Sequence, residues 1–173
     1  MDDSWKQSLW QQFGATIDML DNTLRTCPDD LWLAPLWLIP GDPPRITEYW
    51  YLAYHTLFWL DLYLSGAVEG FMPPAPFGLE ELDPAGLVPE RPYTKDELRT
   101  YLAHCRQKCQ RVIEELTDER ARQVCRFLWG EVTFASLLLD NMRHVQEHAA
   151  QLSLFLGQQQ GIAARWVAKA QNA

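Results

Sequence analysis

Four long stretches of this chain repeat their apolar residues every three or four positions, the spacing that lines one face of an α-helix. The first places Leu9, Phe13, Ile17, Leu20 and Leu24 on one side. It opens with Ser4-Trp5-Lys6-Gln7, which has capping-box spacing, and stops before Pro28. A second stretch follows Ile46-Thr47 and ends where Gly66 can adopt the left-handed conformation. The third begins at Thr94 with Glu97 three residues on, and its seam is Leu98, Leu102, Cys105, Cys109, Val112 and Leu116. The fourth carries Leu138, Met142, Val145, Ala149, Leu152 and Leu156. These patterns predict helices over about 4–26, 47–65, 94–116 and 133–157. With no internal repeat and no alternating strand pattern, the chain reads as a single all-α domain over 1–173, a four-helix bundle. The tail from Gly161 to Ala173 is expected to form a short helix that offers Ile162, Trp166 and Val167 to the bundle.

The segments between the helices are unusual. Pro28, Pro35, Pro40, Pro43 and Pro44 surround Trp32 and Trp37 in the first connection. Residues 66–93 hold six prolines and four glycines, too long and too broken for an ordinary link. Phe71, Met72, Phe77, Leu79 and Leu82 supply apolar anchors there, so a packed surface loop or lid is expected. The second helix is apolar on almost every side, from Tyr49 and Trp50 to Leu62 and Leu64. Such a helix must be covered on several faces, either at the centre of the bundle or against another subunit.

Charge narrows the function classes. With 15 Lys and Arg against 23 Asp and Glu, the formal charge is −8. A nucleic-acid binder needs a basic face, and the nearest thing to one is Arg99, Arg106, Lys108 and Arg111, read as a solvated helix face. The excess acid then serves as surface charge that keeps an aromatic-rich bundle dispersed. No membrane span is expected, because the most apolar stretch, Tyr49 to Leu64, is short and carries His55 and Asp61. Met1-Asp2-Asp3-Ser4-Trp5-Lys6 lacks the basic start and apolar run of a secretory signal. Cys27, Cys105, Cys109 and Cys125 are therefore expected to be reduced thiols in a cytoplasmic protein.

The chemistry-bearing pattern is His144-Val145-Gln146-Glu147-His148. Residues four apart on a helix are separated by about 40° around the axis and about 6 Å along it, so both imidazoles can reach one metal ion. A chance pair on a solvated face has the same spacing, but this pair borders the apolar seam. His55 sits in the aromatic second helix, where a buried ring needs a partner. It is either a hydrogen-bonded core residue or, where that helix lies alongside the fourth, a third ligand. Three neutral imidazoles leave a coordination position open, as in catalytic zinc sites.

The same residues also spell H-x-x-E-H, with Glu147 as the general base of an inverted zinc peptidase. That pattern wants a further carboxylate downstream, and the 25 residues after His148 contain no Asp or Glu. Glu147 then reads as a surface or supporting residue. His104, Cys105 and Cys109 form another group of potential ligands, but both thiols fit the core seam. Neither Cys27 nor Cys125 has C-x-x-C spacing, and neither a phosphate-binding glycine loop nor a G-x-S-x-G elbow occurs.

Ala53-Tyr54-His55-Thr56-Leu57-Phe58-Trp59 in the second helix, together with Asn141-Met142-Arg143-His144-Val145-Gln146-Glu147-His148-Ala149-Ala150-Gln151-Leu152 in the fourth, resembles the DinB/YfiT-like superfamily of metalloenzymes. The similarity extends over essentially the whole chain. It implies an up-up-down-down four-helix bundle with a long connection between helices two and three, and a homodimer. It also implies a divalent metal held by His55, His144 and His148, with zinc or nickel best suited to imidazole ligation. Members include thiol-dependent S-transferases and isomerases, so the resemblance implies a metal-dependent enzyme acting on a small-molecule substrate with a low-molecular-weight thiol. An ion held by neutral imidazoles keeps its full charge and lowers the pKa of bound water or thiol. The loops at 27–47 and 66–93 are candidates for the pocket wall. The competing readings are a non-catalytic dimeric bundle with structural histidines and a metal-dependent hydrolase.

Overall fold

Every long helix but the second begins at a side-chain oxygen that takes an orphan backbone amide. In a computed structural model, which describes residues 2–38 and 44–170, α1 spans Asp3–Thr26. Its cap is Asp2 and not the expected Ser4 box, because the Asp2 carboxylate takes the Ser4 amide (3.0 Å) and the Ser4 hydroxyl (2.7 Å). Helix α2 (Tyr49–Ser65) starts two residues later than expected, since Thr47 closes a 3-10 turn, and it ends at Gly66 with φ 79°. Helix α3 (Lys95–Glu114) has the reciprocal Thr94–Glu97 box. A short helix α4 (Asp118–Arg122) precedes the last long helix, α5 (Phe134–Gln160), which is capped by Thr133 and runs past Gly157 to Gly161. Pro40, Pro43 and residues 171–173, named above, lie outside the described residues.

Between α4 and α5 stands an antiparallel hairpin, β1 (Val124–Phe127) and β2 (Gly130–Thr133), with Val124 opposite Thr133 and Phe127 opposite Gly130. The all-α architecture holds, and this two-stranded hairpin is a small addition to it that no alternating pattern announced. Each strand has only four residues, and Leu128-Trp129 at the turn lacks the Asn-Gly or Asp-Gly signature that announces a hairpin.

Helices α1 and α2 occupy opposite corners of the bundle, each packed against α3 and α5. Lys6 donates to the Glu114 carbonyl at one end and Lys95 to the Cys27 carbonyl at the other, so α3 runs against α1. Trp50 meets Tyr93 just before α3, while Ser65 meets Lys108 deep within it, so α2 and α3 run the same way. Tyr49 touches Phe155 and the Leu60 carbonyl takes Asn141, which turns α5 against α2. The order is therefore up-down-down-up, a correction to the up-up-down-down arrangement implied by the resemblance. The long connection does fall between helices two and three, and its length has a cause: parallel neighbours must be joined by a segment that returns the length of the bundle.

Of the 17 residues of α2, 13 are buried, all by this chain: α3, α5 and the crossover cover it from different sides. Within the crossover Phe71 and Phe77 are the true anchors, and Phe77 stacks on Tyr101 at 4.3 Å. Met72 and Leu79, expected to anchor as well, are exposed. Of the basic residues of α3, Arg111 is exposed as expected, but Arg106 and Lys108 are not part of a solvated face. Arg106 pairs with Asp18 at 2.7 Å, and Lys108 reaches the buried Asp61 at 2.5 Å, where the Tyr101 hydroxyl also donates. All four cysteines are free and buried. Burial pushes the Cys27 thiol up to about 12 and raises Cys105 and Cys109 as well, which suits core packing and not nucleophilic work. Among the described residues no helix is long and apolar enough to cross a membrane.

The tail is the other correction. Its described residues, 161–170, form no helix; after Gly161 (φ 68°) they run irregularly along α1. The Ala170 amide donates to Gln11, and Gln12 and Asn22 donate to the tail carbonyls of Ala168 and Arg165. Val167 packs against the core, whereas Trp166 is 70% exposed. Bonds to α1 replace the internal bonds a helix would have made. Gly14 permits the approach: a Cβ there would lie 2.6 Å from that of Ala170. Gly14→Ala should therefore destabilise the protein by about 1–3 kcal/mol despite the gain in helix propensity. Urea unfolding checks the sign, and faster proteolysis at Arg165 or Lys169 would show the tail lifting away; a stabilised variant would refute the tight contact.

Candidate metal centre

Helices α2 and α5 lie side by side and antiparallel, which brings the middle of one against the middle of the other. His55 from α2 meets His144 and His148 from α5, and one ring nitrogen from each lies within 4.8 Å of the others. The Nε2 atoms of His55 and His144 are 3.4 Å apart. Two nitrogens bound to one tetrahedral zinc at about 2.0–2.1 Å would sit about 3.4 Å from each other. The structure thus brings together all three residues singled out in the sequence.

Hydrogen bonds on the far side of the rings determine which nitrogen faces the centre. His55 donates Nδ1–H to Glu81 Oε2 at 2.8 Å, and the same oxygen takes Trp59 Nε1 at 2.9 Å. His148 donates Nδ1–H to Gln151 Oε1 at 2.8 Å. Both rings are left with an Nε2 lone pair, the arrangement in which outer-shell acceptors orient metal-binding imidazoles. His144 Nδ1 is buried and without a protein partner. Burial, together with the neighbouring His148 and His55, pushes the His144 pKa down to about 3. Burial also lowers that of His148, against the opposing effect of Gln151. These two rings are neutral at pH 7 and ready to ligate. Burial, the largest single influence, would raise the Glu81 carboxyl, but His55, Tyr51 and Trp59 together outweigh it and hold the group below the usual carboxylate range. Such a set of converging ring nitrogens fits a divalent cation.

Glu81 is the supporting residue that sequence reasoning missed. It sits in a 3-10 turn (Glu80–Leu82) of the crossover, and its side chain is only 6% exposed. The only hint in the sequence was a pair of acids inside a loop that otherwise carries apolar anchors. Glu147 is exposed and faces away from the centre, toward a surface cavity of about 500 Å³ that it shares with Met142, Arg143 and Trp166. That position fits the surface role and gives the peptidase pattern no base at the ion. The cavity itself contains none of the three histidines. His104 lies 3.6 Å from Asp61 on the α3 side of α2, and Cys105 and Cys109 stay in the core, so none of them joins the centre.

Residues 12–152 match the model of a family described as the DinB superfamily. Among curated proteins, none matches the chain.

Glu81→Gln should weaken metal binding about 10- to 100-fold while leaving the helical circular dichroism unchanged; competition with a chromophoric chelator measures it, and unaltered affinity would remove Glu81 from the site. The depressed His144 pKa also has a sign. In metal-free protein the unfolded chain takes up a proton that the folded chain refuses between about pH 6.5 and 3. Stability from this residue is complete above that window and is lost as the pH falls through it. Melting temperatures of metal-free wild type should drop more steeply on acidification than those of His144→Ala, and equal slopes would contradict the buried neutral ring.

Proposed function

The chain belongs to the DinB superfamily, and we propose that it is a metal-dependent enzyme whose ion, zinc or nickel, is held by His55, His144 and His148. The observation that carries this reading is the convergence of three ring nitrogens within 4.8 Å of one another, the His55 and His144 Nε2 atoms 3.4 Å apart, with His55 aimed from behind by Glu81 and His148 by Gln151. A bound divalent ion would supply Lewis acidity, lowering the pKa of a coordinated thiol or water so that an anionic nucleophile persists at neutral pH. The protein's own residues do the rest. Glu81 keeps the His55 proton on Nδ1, and Gln151 does the same for His148. Burial keeps His144 uncharged. His55 retains 29% exposure, so the centre is reachable by a small molecule and is not sealed like a structural site.

The reaction proposed is transfer or isomerisation assisted by a low-molecular-weight thiol. In transfer the thiolate sulfur bonds to an electrophilic carbon as that carbon's bond to the leaving group breaks, and the leaving group departs with the electron pair and takes a proton. In isomerisation the sulfur adds to a carbon–carbon double bond, whose π pair moves to the neighbouring carbon, and the thiolate is expelled when the double bond re-forms after rotation. A homodimer belongs to the same reading, with exposed Leu139, Leu154 and Trp166 as apolar surface for a second copy; sedimentation velocity checks it.

Untagged protein should bind one equivalent of zinc or nickel, and His144→Ala or His148→Ala should lose it. Removing the ion with a chelator should lower stability by about 3–4 kcal/mol if the metal had been present at 100- to 1,000-fold its Kd. A wild type that cannot be loaded would end the metal reading. For the reaction, loaded protein should turn over pairs of small thiols and electrophilic acceptors, and His144→Ala should not. Loaded protein that turns over none of them supports a non-catalytic bundle, and metal-dependent ester or amide cleavage supports a hydrolase.

A further inference from the structure

The hairpin does more than join α4 to α5. Its turn carries Leu128 and Trp129 into solvent, yet Trp129 is not free to swing: its Nε1 donates to the Tyr63 hydroxyl at 3.0 Å. Phe127 lies nearly parallel to Trp129, at 9° and 5.6 Å, and meets Tyr63 edge-on at 5.0 Å. Across from them is Trp59, whose ring is fixed by Glu81. Between these walls and Val68 and Leu82 of the crossover lies a concave pocket of about 390 Å³. Small-molecule sites occupy about 300–1,000 Å³ and are mostly apolar, so the size suits a compact ligand. Arg126 at the rim is taken up by Glu131 at 2.8 Å and does not mark the pocket as an anion site.

The pocket also adjoins the histidine centre. Trp59 lines it and stands 6.3 Å, ring to ring, from His55, and one Glu81 oxygen holds both. We propose that this pocket binds the planar apolar part of the substrate, an aromatic or similarly flat group, with the reacting end directed to the three histidines. The assignment rests on the metal-dependent reading above. Rigid aromatic faces bind such a group without first having to be ordered, which favours it over a flexible aliphatic chain.

The test uses 2-naphthalenemethanol as the probe and full-length protein loaded with zinc or with paramagnetic cobalt(II). The probe should bind the zinc form saturably, and its ring-proton resonances should broaden strongly in the cobalt form but not with free cobalt. Val68→Asp, at a position already partly exposed, should weaken binding about tenfold by setting a charge in the apolar wall, with metal content unchanged. Trp129→Ala should weaken it similarly. His144→Ala should still bind the probe but lose the cobalt effect, which separates the pocket from the ion. Binding indifferent to Val68→Asp and Trp129→Ala would overturn the proposal, as would a probe that bound cobalt leaves sharp. A wild-type dimer that Val68→Asp dissociates, with no probe bound, would also overturn it by assigning the patch to a second copy. If cobalt fails to load, the metal reading falls separately, and the effect of Val68→Asp on probe binding still decides the pocket.

Discussion

Two adjacent helices that run in the same direction cannot be joined by a tight turn, and the pairing of α2 with α3 imposes this constraint on the whole molecule. The chain must travel back along the bundle before α3 can begin, and residues 66–93 make that journey pressed against α2. The passage covers faces of α2 that a plain four-helix packing would leave in water. It also seats Phe77 against Tyr101 and delivers Glu81 to the back of His55. The crossover is thus part of the core on one side and part of the candidate centre on the other.

The centre itself is a balance of unfavourable terms. Three imidazoles crowd together with the Nε2 atoms of His55 and His144 only 3.4 Å apart, within reach of a single shared proton, and His144 Nδ1 is buried without a protein partner. Such an arrangement persists because packed helices hold the rings and because Glu81 and Gln151 hold the outer protons. His55, Tyr51 and Trp59 together keep the Glu81 carboxylate ionised against its burial, so orientation and charge reinforce one another. Asp61 shows a different solution a turn and a half further along α2: a buried carboxylate neutralised by Lys108 and bonded by Tyr101 has no capacity left for a cation. Two acids near one helix therefore do opposite work, one aiming His55 and the other locking α3.

Much of this was legible in the chain. Helix boundaries at Thr94, Gly66 and Thr133 follow from local capping chemistry, which a short window of residues contains. The three histidines of the candidate centre were legible because His144 and His148 share one turn of a single helix and His55 stands out in an aromatic one. Glu81 was not. Glu80 beside it has the same chemistry, and only the path of the crossover decides that Glu81 turns inward. The hairpin escaped because eight strand residues carry too little periodicity, and the tail because Gly14, which admits it, lies about 150 residues away in the sequence.

By itself, then, the sequence determined the four long helices, the apolar faces they bury and which imidazoles can share an ion, because periodicity and capping are properties of neighbours in the chain. Direction is different. An apolar stripe packs equally well whether its helix points up or down, so up-down-down-up order, the inward turn of Glu81 and the aromatic pocket beneath the hairpin were decided only when distant segments met. Those features depend on which helix ends adjoin and on the route the chain takes between them, and no local pattern of residues records that route.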